Sequence, residues 1–237
     1  MAVPDIAQEI EGTAPTGPRN GSTAMKQIAI LSLALTHFST SLAVGKPAVE
    51  VDIPLCAKAV LTDVASISDF INPMTGQPAP YPTVIDLCRN AVGLRLKITA
   101  TEPDQMINAS PMATPDRIQN GDYVAVAFTL DPKATESYIF FVDPRGQKAA
   151  LSSVDPHYNP NWLANCSHGS SSWSCDLVIP YDAFIGVDRA VAAPRIAFIR
   201  HMKREPMGYW YWPNISPVKP LNPSSEAPIK QLFPGSR

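Results

Sequence analysis

The chain has 237 residues, enough for one large β-domain or two small ones, and a formal net charge of −2 with 17% charged residues. Near-neutrality without a run of five or more basic residues excludes a nucleic-acid footprint, and 45% hydrophobic residues exclude wholesale disorder. The 25 prolines argue for a loop-rich architecture of short strands, because proline breaks helix interiors and central strands.

Residues 1–24 are polar, rich in Gly, Pro and Thr, and carry no apolar period. They are expected to be a disordered or non-native upstream extension. Met25 opens a different segment. Lys26 supplies a short positive region, Ile28 to Leu35 an apolar one, and Ser41-Leu42-Ala43 places small residues at the −3 and −1 positions of a cleavage site. Residues 25–43 are therefore expected to be a signal peptide cleaved after Ala43. A retained signal anchor is the alternative, against which the apolar core is short. Export implies a secreted or periplasmic protein formed by residues 44–237, without membrane contact after cleavage.

Cys56, Cys88, Cys166 and Cys175 all follow this leader, where disulfides persist. Three connectivities are open. The favoured one joins Cys166 to Cys175 and Cys56 to Cys88, because His168-Gly169-Ser170-Ser171-Ser172 has the composition of a hairpin turn between two strand-like runs. No C-x-x-C pair supports a zinc site.

Val49 and Val51 alternate with Glu50 and Asp52 before Pro54. Residues 57–71 could hold one helical turn. Thr83 to Cys88 leads through Arg89-Asn90-Ala91-Val92-Gly93 into Leu94-Arg95-Leu96-Lys97-Ile98-Thr99-Ala100, where Leu94, Leu96, Ile98 and Ala100 share one face. That period of two marks a half-buried strand, and the pair a hairpin. Asp122 to Leu130 and Tyr138 to Val142 form a second hairpin, followed by the turn Asp143-Pro144-Arg145-Gly146. Trp162 to Asn165, Trp173 to Ile179 and Arg195 to Arg200 are further strands, and Tyr209-Trp210-Tyr211-Trp212 follows at once. The Pro-rich tail from Pro213 is expected to wrap the surface. Many short strands separated by Gly/Pro/Asp turns predict an all-β fold, a single-domain antiparallel β-sandwich of jelly-roll or immunoglobulin-like type.

The order of several pieces resembles the carbohydrate-binding-module family 9-like domains of the DOMON-like sandwich superfamily. They are Gly76-Gln77-Pro78-Ala79 with Pro82-Thr83-Val84, Gly93 to Ile98 ending in Glu102-Pro103-Asp104, and Gly121 to Val126 with Leu130-Asp131-Pro132. Tyr138 to Gly146, Trp173 to Tyr181 as Trp-x-x-acidic-x-x-Ile-Pro-aromatic, and Phe198, Arg200 and Trp212-Pro213 complete the set. The resemblance covers roughly residues 48–213 and implies a non-catalytic module with a polysaccharide or oligosaccharide ligand. Cys175 departs from the usual aliphatic residue. The family's Asp-rich segment is reduced to Pro115-Asp116-Arg117, which counts against a structural calcium, and no other cofactor is expected.

Pyranose rings present apolar C–H faces that stack on aromatic rings. Trp210, Trp212, Trp162 and Tyr209 are the candidate sugar-binding aromatics, with Arg200 as hydrogen-bond donor. If the cluster is extended, Trp210 and Trp212 face one way and Tyr209 and Tyr211 the other. The competing assignment makes these aromatics part of the core, which is favoured for Trp173, and Arg200 could equally pair with Asp176. Asp131, Asp143 and Asp155 each precede proline and read as turn caps. His157, His168 and His201 read as surface loop residues. Asn108, Asn165 and Asn214 begin glycosylation acceptor patterns. Neither a G-x-S-x-G elbow nor an H-E-x-x-H pair is present, so an enzyme is not expected. A structural, protein-interacting sandwich is one alternative. A haem-binding redox module using Met106, Met112, Met202 or Met207 is another.

Overall fold

A computed structural model describes residues 50–56, 63–102, 118–130, 136–187, 194–203, 207–213 and 226–233. Its strands, in chain order, are β1 (Ala65–Ile67), β2 (Thr83–Arg89), β3 (Gly93–Thr101), β4 (Tyr123–Thr129), β5 (Ser137–Val142), β6 (Lys148–Ser152), β7 (Leu163–His168), β8 (Ser172–Pro180), β9 (Arg195–Met202), β10 (Gly208–Trp212) and β11 (Ala227–Pro228). One 3-10 turn, Tyr181–Ala183, follows β8. The strands form two antiparallel sheets, one in the order β1-β2-β3-β8-β7 and the other β10-β9-β4-β5-β6, with β11 also on β9. This is the β-sandwich expected from the alternation of short apolar runs. The upstream extension 1–24, the signal segment 25–43, Asn108, Asp116, Asp131, Met106, Met112 and Asn214 lie outside the described residues.

Alternation explains which side chains meet between the sheets. Leu94, Leu96, Ile98 and Ala100 of β3 point inward, as do Trp173, Cys175, Leu177 and Ile179 of β8. They pack against Val124, Val126 and Phe128 of β4 and Ile196 and Phe198 of β9 in one core. Arg95, Lys97 and Thr99 take the outer face of the first sheet, where Lys97 lies between Asp86 and Asp176. The second sheet is different. Every residue of β4 is buried, because its outer side chains Tyr123, Ala125 and Ala127 join Phe141, Ala197 and Ile199 in a second apolar cluster. This accounts for the unbroken hydrophobic run of β4, since a strand buried on both faces loses its polar alternation.

Both disulfides are those favoured from sequence, Cys56–Cys88 with Cα atoms 5.2 Å apart and Cys166–Cys175 with Cα atoms 4.0 Å apart. Cys166 and Cys175 are directly opposed in the β7–β8 ladder. Asp143 and Asp155 cap turns as expected. Asp143 Oδ1 accepts the N–H groups of Arg145 and Gln147, and Asp155 Oδ1 that of His157.

The 57–71 stretch, which could hold one helical turn, contains the short strand β1 in its described part, and residues 57–62 lie outside the described residues. β6 was not anticipated; it is completed by pairing with β5. The tail was expected to wrap the surface, but Ala227, Ile229, Leu232 and Phe233 are buried in the core. There β11 pairs with β9, and Ile229 forms a parallel bridge with Val51. Val51 N–H donates to Pro228 O at 2.8 Å and Lys230 N–H to Val51 O at 3.0 Å. Arg89 ties both segments down, donating to Ile53 O and to Gln231 Oε1.

Candidate functional site

β10 lies antiparallel to β9, with Tyr209 opposite His201, Trp210 opposite Arg200, Tyr211 opposite Ile199 and Trp212 opposite Phe198. Trp210 and Trp212 therefore share one face and Tyr209 and Tyr211 the other, as alternation requires. The indoles take the inner face and the phenols the outer one.

That orientation corrects the sequence-based site. Trp210 is 3% exposed and packed into the core, so its ring faces are not offered to a ligand. Trp162 is likewise 3% exposed, edge-on to Phe140 at 5.4 Å, with the Lys148 ammonium 5.2 Å from its ring centre. Arg200 is fully buried and cannot donate to an external sugar. It continues the inward row Ile196, Phe198, Arg200, Met202 of β9. Its partner is Glu102 rather than Asp176, which is exposed on the outer face of the first sheet. Arg200 also donates to the carbonyls of Tyr123 and His201, and its guanidinium lies 5.2 Å from the Trp173 ring centre. Trp173 Nε1 donates to Glu102 Oε1 at 3.4 Å. This buried group bridges the sheets and is structural. Trp173 is core, as favoured.

Two of the predicted aromatics remain at the surface. Tyr209 is 44% exposed, and Trp212 is partly exposed, tilted on Phe198 at 5.9 Å. Tyr209 rests on His201 at 4.5 Å, and His201 stacks on Tyr123 at 5.0 Å. His201 is thus a buried strand residue and not the surface loop residue expected, whereas His157 and His168 are exposed. His201 Nδ1 is 2.6 Å from Gly121 O, so the neutral ring donates there. Burial lowers its pKa below the ordinary 6.5, with the Gly121 bond opposing and the Lys203 charge assisting. Burial and the neighbouring phenols of Tyr209 and Tyr211 hold the Tyr123 hydroxyl above the usual tyrosine range. Both shifts favour the neutral forms of His201 and Tyr123.

A second element completes this rim. After β1 the chain crosses to the other sheet, where Ile71 exchanges two backbone hydrogen bonds with Tyr211. It turns at Asn72-Pro73-Met74-Thr75-Gly76, closed by Gly76 N–H to Asn72 O at 2.8 Å. Gly76 has φ 69°, a left-handed conformation that glycine adopts without strain. Asn72 Oδ1 accepts from Met74 and Thr75 N–H, leaving its amide nitrogen towards Gly208, where an added Cβ would sit 3.5 Å from it. Met74, Thr75 and Gln77 of the turn are exposed, and so are Met207 and Tyr209 of the neighbouring segment. Sequence inspection missed this half of the rim. The signal was the turn composition of residues 72–76, but nothing local says that the turn docks on β10.

The exposed groups of this turn and of the β10 segment are a phenol ring, two thioethers, a threonine hydroxyl and amides, none of them charged. They can offer apolar contact and neutral hydrogen bonds to a small polar ligand. Among the described residues there is no cluster of three or more His, Cys, Asp or Glu that could hold a metal.

Neither a family model nor a curated protein sequence matches the chain. Solved structures do. A proposed carbohydrate-binding protein from Bacteroides uniformis ATCC 8492 superposes with TM-score 0.59 at 13% identity, over 78% of this chain and 98% of that one. A family 9 carbohydrate-binding module from Caldicellulosiruptor kristjanssonii, solved with glucose, gives TM-score 0.54 at 10% identity over 79% and 98%. The same organism's module with cellotriose gives TM-score 0.54 at 10% identity over 78% and 95%. The fold is that of the family 9 carbohydrate-binding modules. It agrees with the resemblance noted in the sequence and extends across nearly the whole of each neighbour.

Proposed function

We propose that the protein is an exported, non-catalytic carbohydrate-binding module of family 9 type that holds a neutral saccharide at the Tyr209 rim. The observation that carries this reading is the fold shared with modules solved holding glucose and cellotriose, over 98% and 95% of their length. The chemistry of the rim adds to that support. The Tyr209 ring offers a stacking face, Met74 and Met207 an apolar border, and Asn72, Thr75 and Gln77 groups that can pair with hydroxyls. Two disulfides fit an oxidising compartment.

Affinity electrophoresis and calorimetry with glucose, cellotriose and a wider glycan panel test it. Binding is expected for the native protein, with a loss of at least about tenfold, roughly 1.4 kcal/mol, in Tyr209→Ala. A folded Tyr209→Ala protein that binds as tightly as native would remove the rim from the site. No retention on any glycan would end the carbohydrate reading.

A further inference from the structure

An edge strand presents a row of unpaired backbone groups, and natural sheets guard such edges with short strands, lysine, proline, bulges or covering segments. Among the described residues, three of the four sheet edges are guarded. β1 is three residues long. β6 begins with Lys148, whose ammonium turns back onto Trp162 O. β10 is covered by the Ile71 bridge. The fourth edge, β7, has the sequence Leu163-Ala164-Asn165-Cys166-Ser167-His168, without proline, lysine or acidic residue of its own, and most of its side chains are exposed; Lys148 reaches only the Trp162 carbonyl just before it, and Gly146 packs beside Cys166.

The register says which backbone groups are free. Gly169 N–H donates to Ser172 O, and the same ladder opposes Cys166 to Cys175. Hydrogen-bonded pairs alternate along an antiparallel ladder. Leu163, Asn165 and Ser167 therefore bond to β8, while Ala164, Cys166 and His168 direct N–H and C=O away from it. None of those three makes a backbone bond to another described residue. The 4.0 Å Cα separation of Cys166 and Cys175 agrees, since non-hydrogen-bonded pairs are the narrow ones. The Cys166–Cys175 bond ties β7 to β8 at the middle of the strand.

We propose that β7 is the docking edge for a second copy of this chain, pairing antiparallel about Cys166. The strand is complementary to itself in that register. Ala164 would exchange bonds with His168 of the second copy and Cys166 with its own counterpart. Asn165 would face Ser167 across the seam on the outer sheet surface, a neutral hydrogen-bonding pair at both ends. No like charges meet, and the first sheets of the two copies become one. The pairing is isologous, as a two-fold dimer requires. It uses nothing from the Tyr209 rim, so it stands or falls separately from the saccharide reading.

Sedimentation velocity on the oxidised, purified protein across a concentration series is the test. A reversible monomer–dimer equilibrium is expected. Ala164→Pro removes an outward N–H without touching the β8 ladder, and Asn165→Lys with Ser167→Lys sets four like charges along the seam. Each should weaken dimerisation at least about tenfold while near-ultraviolet circular dichroism stays native. If Ala164→Pro does not fold, the double lysine variant alone decides, because both its positions are exposed. A native protein that remains monomeric at about 1 mM, or a folded double lysine variant that dimerises as native does, overturns the proposal.

Discussion

Glu102 and Arg200 sit between the sheets at 1% and 0% exposure, each the other's counter-charge. Removing one partner of such a pair leaves an uncompensated buried charge. Glu102→Ala is therefore expected to cost about 3–5 kcal/mol in urea unfolding, more than loss of an exposed pair such as Lys230–Asp52. Trp210→Ala should cost about 3–5 kcal/mol by emptying core volume. The two indole and phenol variants then separate cleanly. Trp210→Ala loses stability first, and Tyr209→Ala loses ligand while stability changes little. Neither outcome could be foreseen from the four-residue aromatic run alone. Alternation told which residues share a face, but which face is inward depends on Arg200 finding Glu102, a partner distant in sequence. A charged residue on an otherwise apolar strand face looked like a ligand contact for that reason.

At the scale of elements, the strands legible in the sequence are those whose apolar period decides their own burial. β3 is one, with four inward aliphatic or small residues and charged residues between. β8 is another. β1, β6 and β11 were not legible, because two to five residues of ordinary composition become strands only when a neighbour supplies the ladder. β11 has a further property. Glu226 precedes it, 2% exposed, with its main-chain carbonyl held by Arg195. Burial raises its carboxyl from 4.5 to about 7, against the lowering effects of the Thr129 hydrogen bond and the Arg195 charge. The folded state thus binds this proton more tightly than the unfolded state does. Its stabilising effect is complete below pH 4.5 and is lost as pH rises through about 7. Glu226→Gln should flatten the fall in melting temperature across that window and protect the β11 amides from hydrogen exchange at pH 7. An unchanged pH profile would show that the carboxyl is not a determinant of tail docking. His201 has the opposite sign, with stability lost as pH falls below 6.5.

For the whole molecule, the sandwich is closed by its two ends rather than by its longest strands. The parallel bridge of Val51 with Ile229 makes the first and last described segments neighbours running in the same direction. Tension applied between residues 50 and 233 would therefore pull these neighbours past one another along their length. Bonds loaded in that way must yield together, whereas bonds pulled open from a hairpin end yield one at a time. Arg89 and the Cys56–Cys88 crosslink would stop the leading segment from peeling further into β2. In single-molecule stretching the module should give one sharp rupture, with an extension shortened by the loop that this crosslink encloses. A body built this way can remain folded while anchored at one end to something large and dragged at the other.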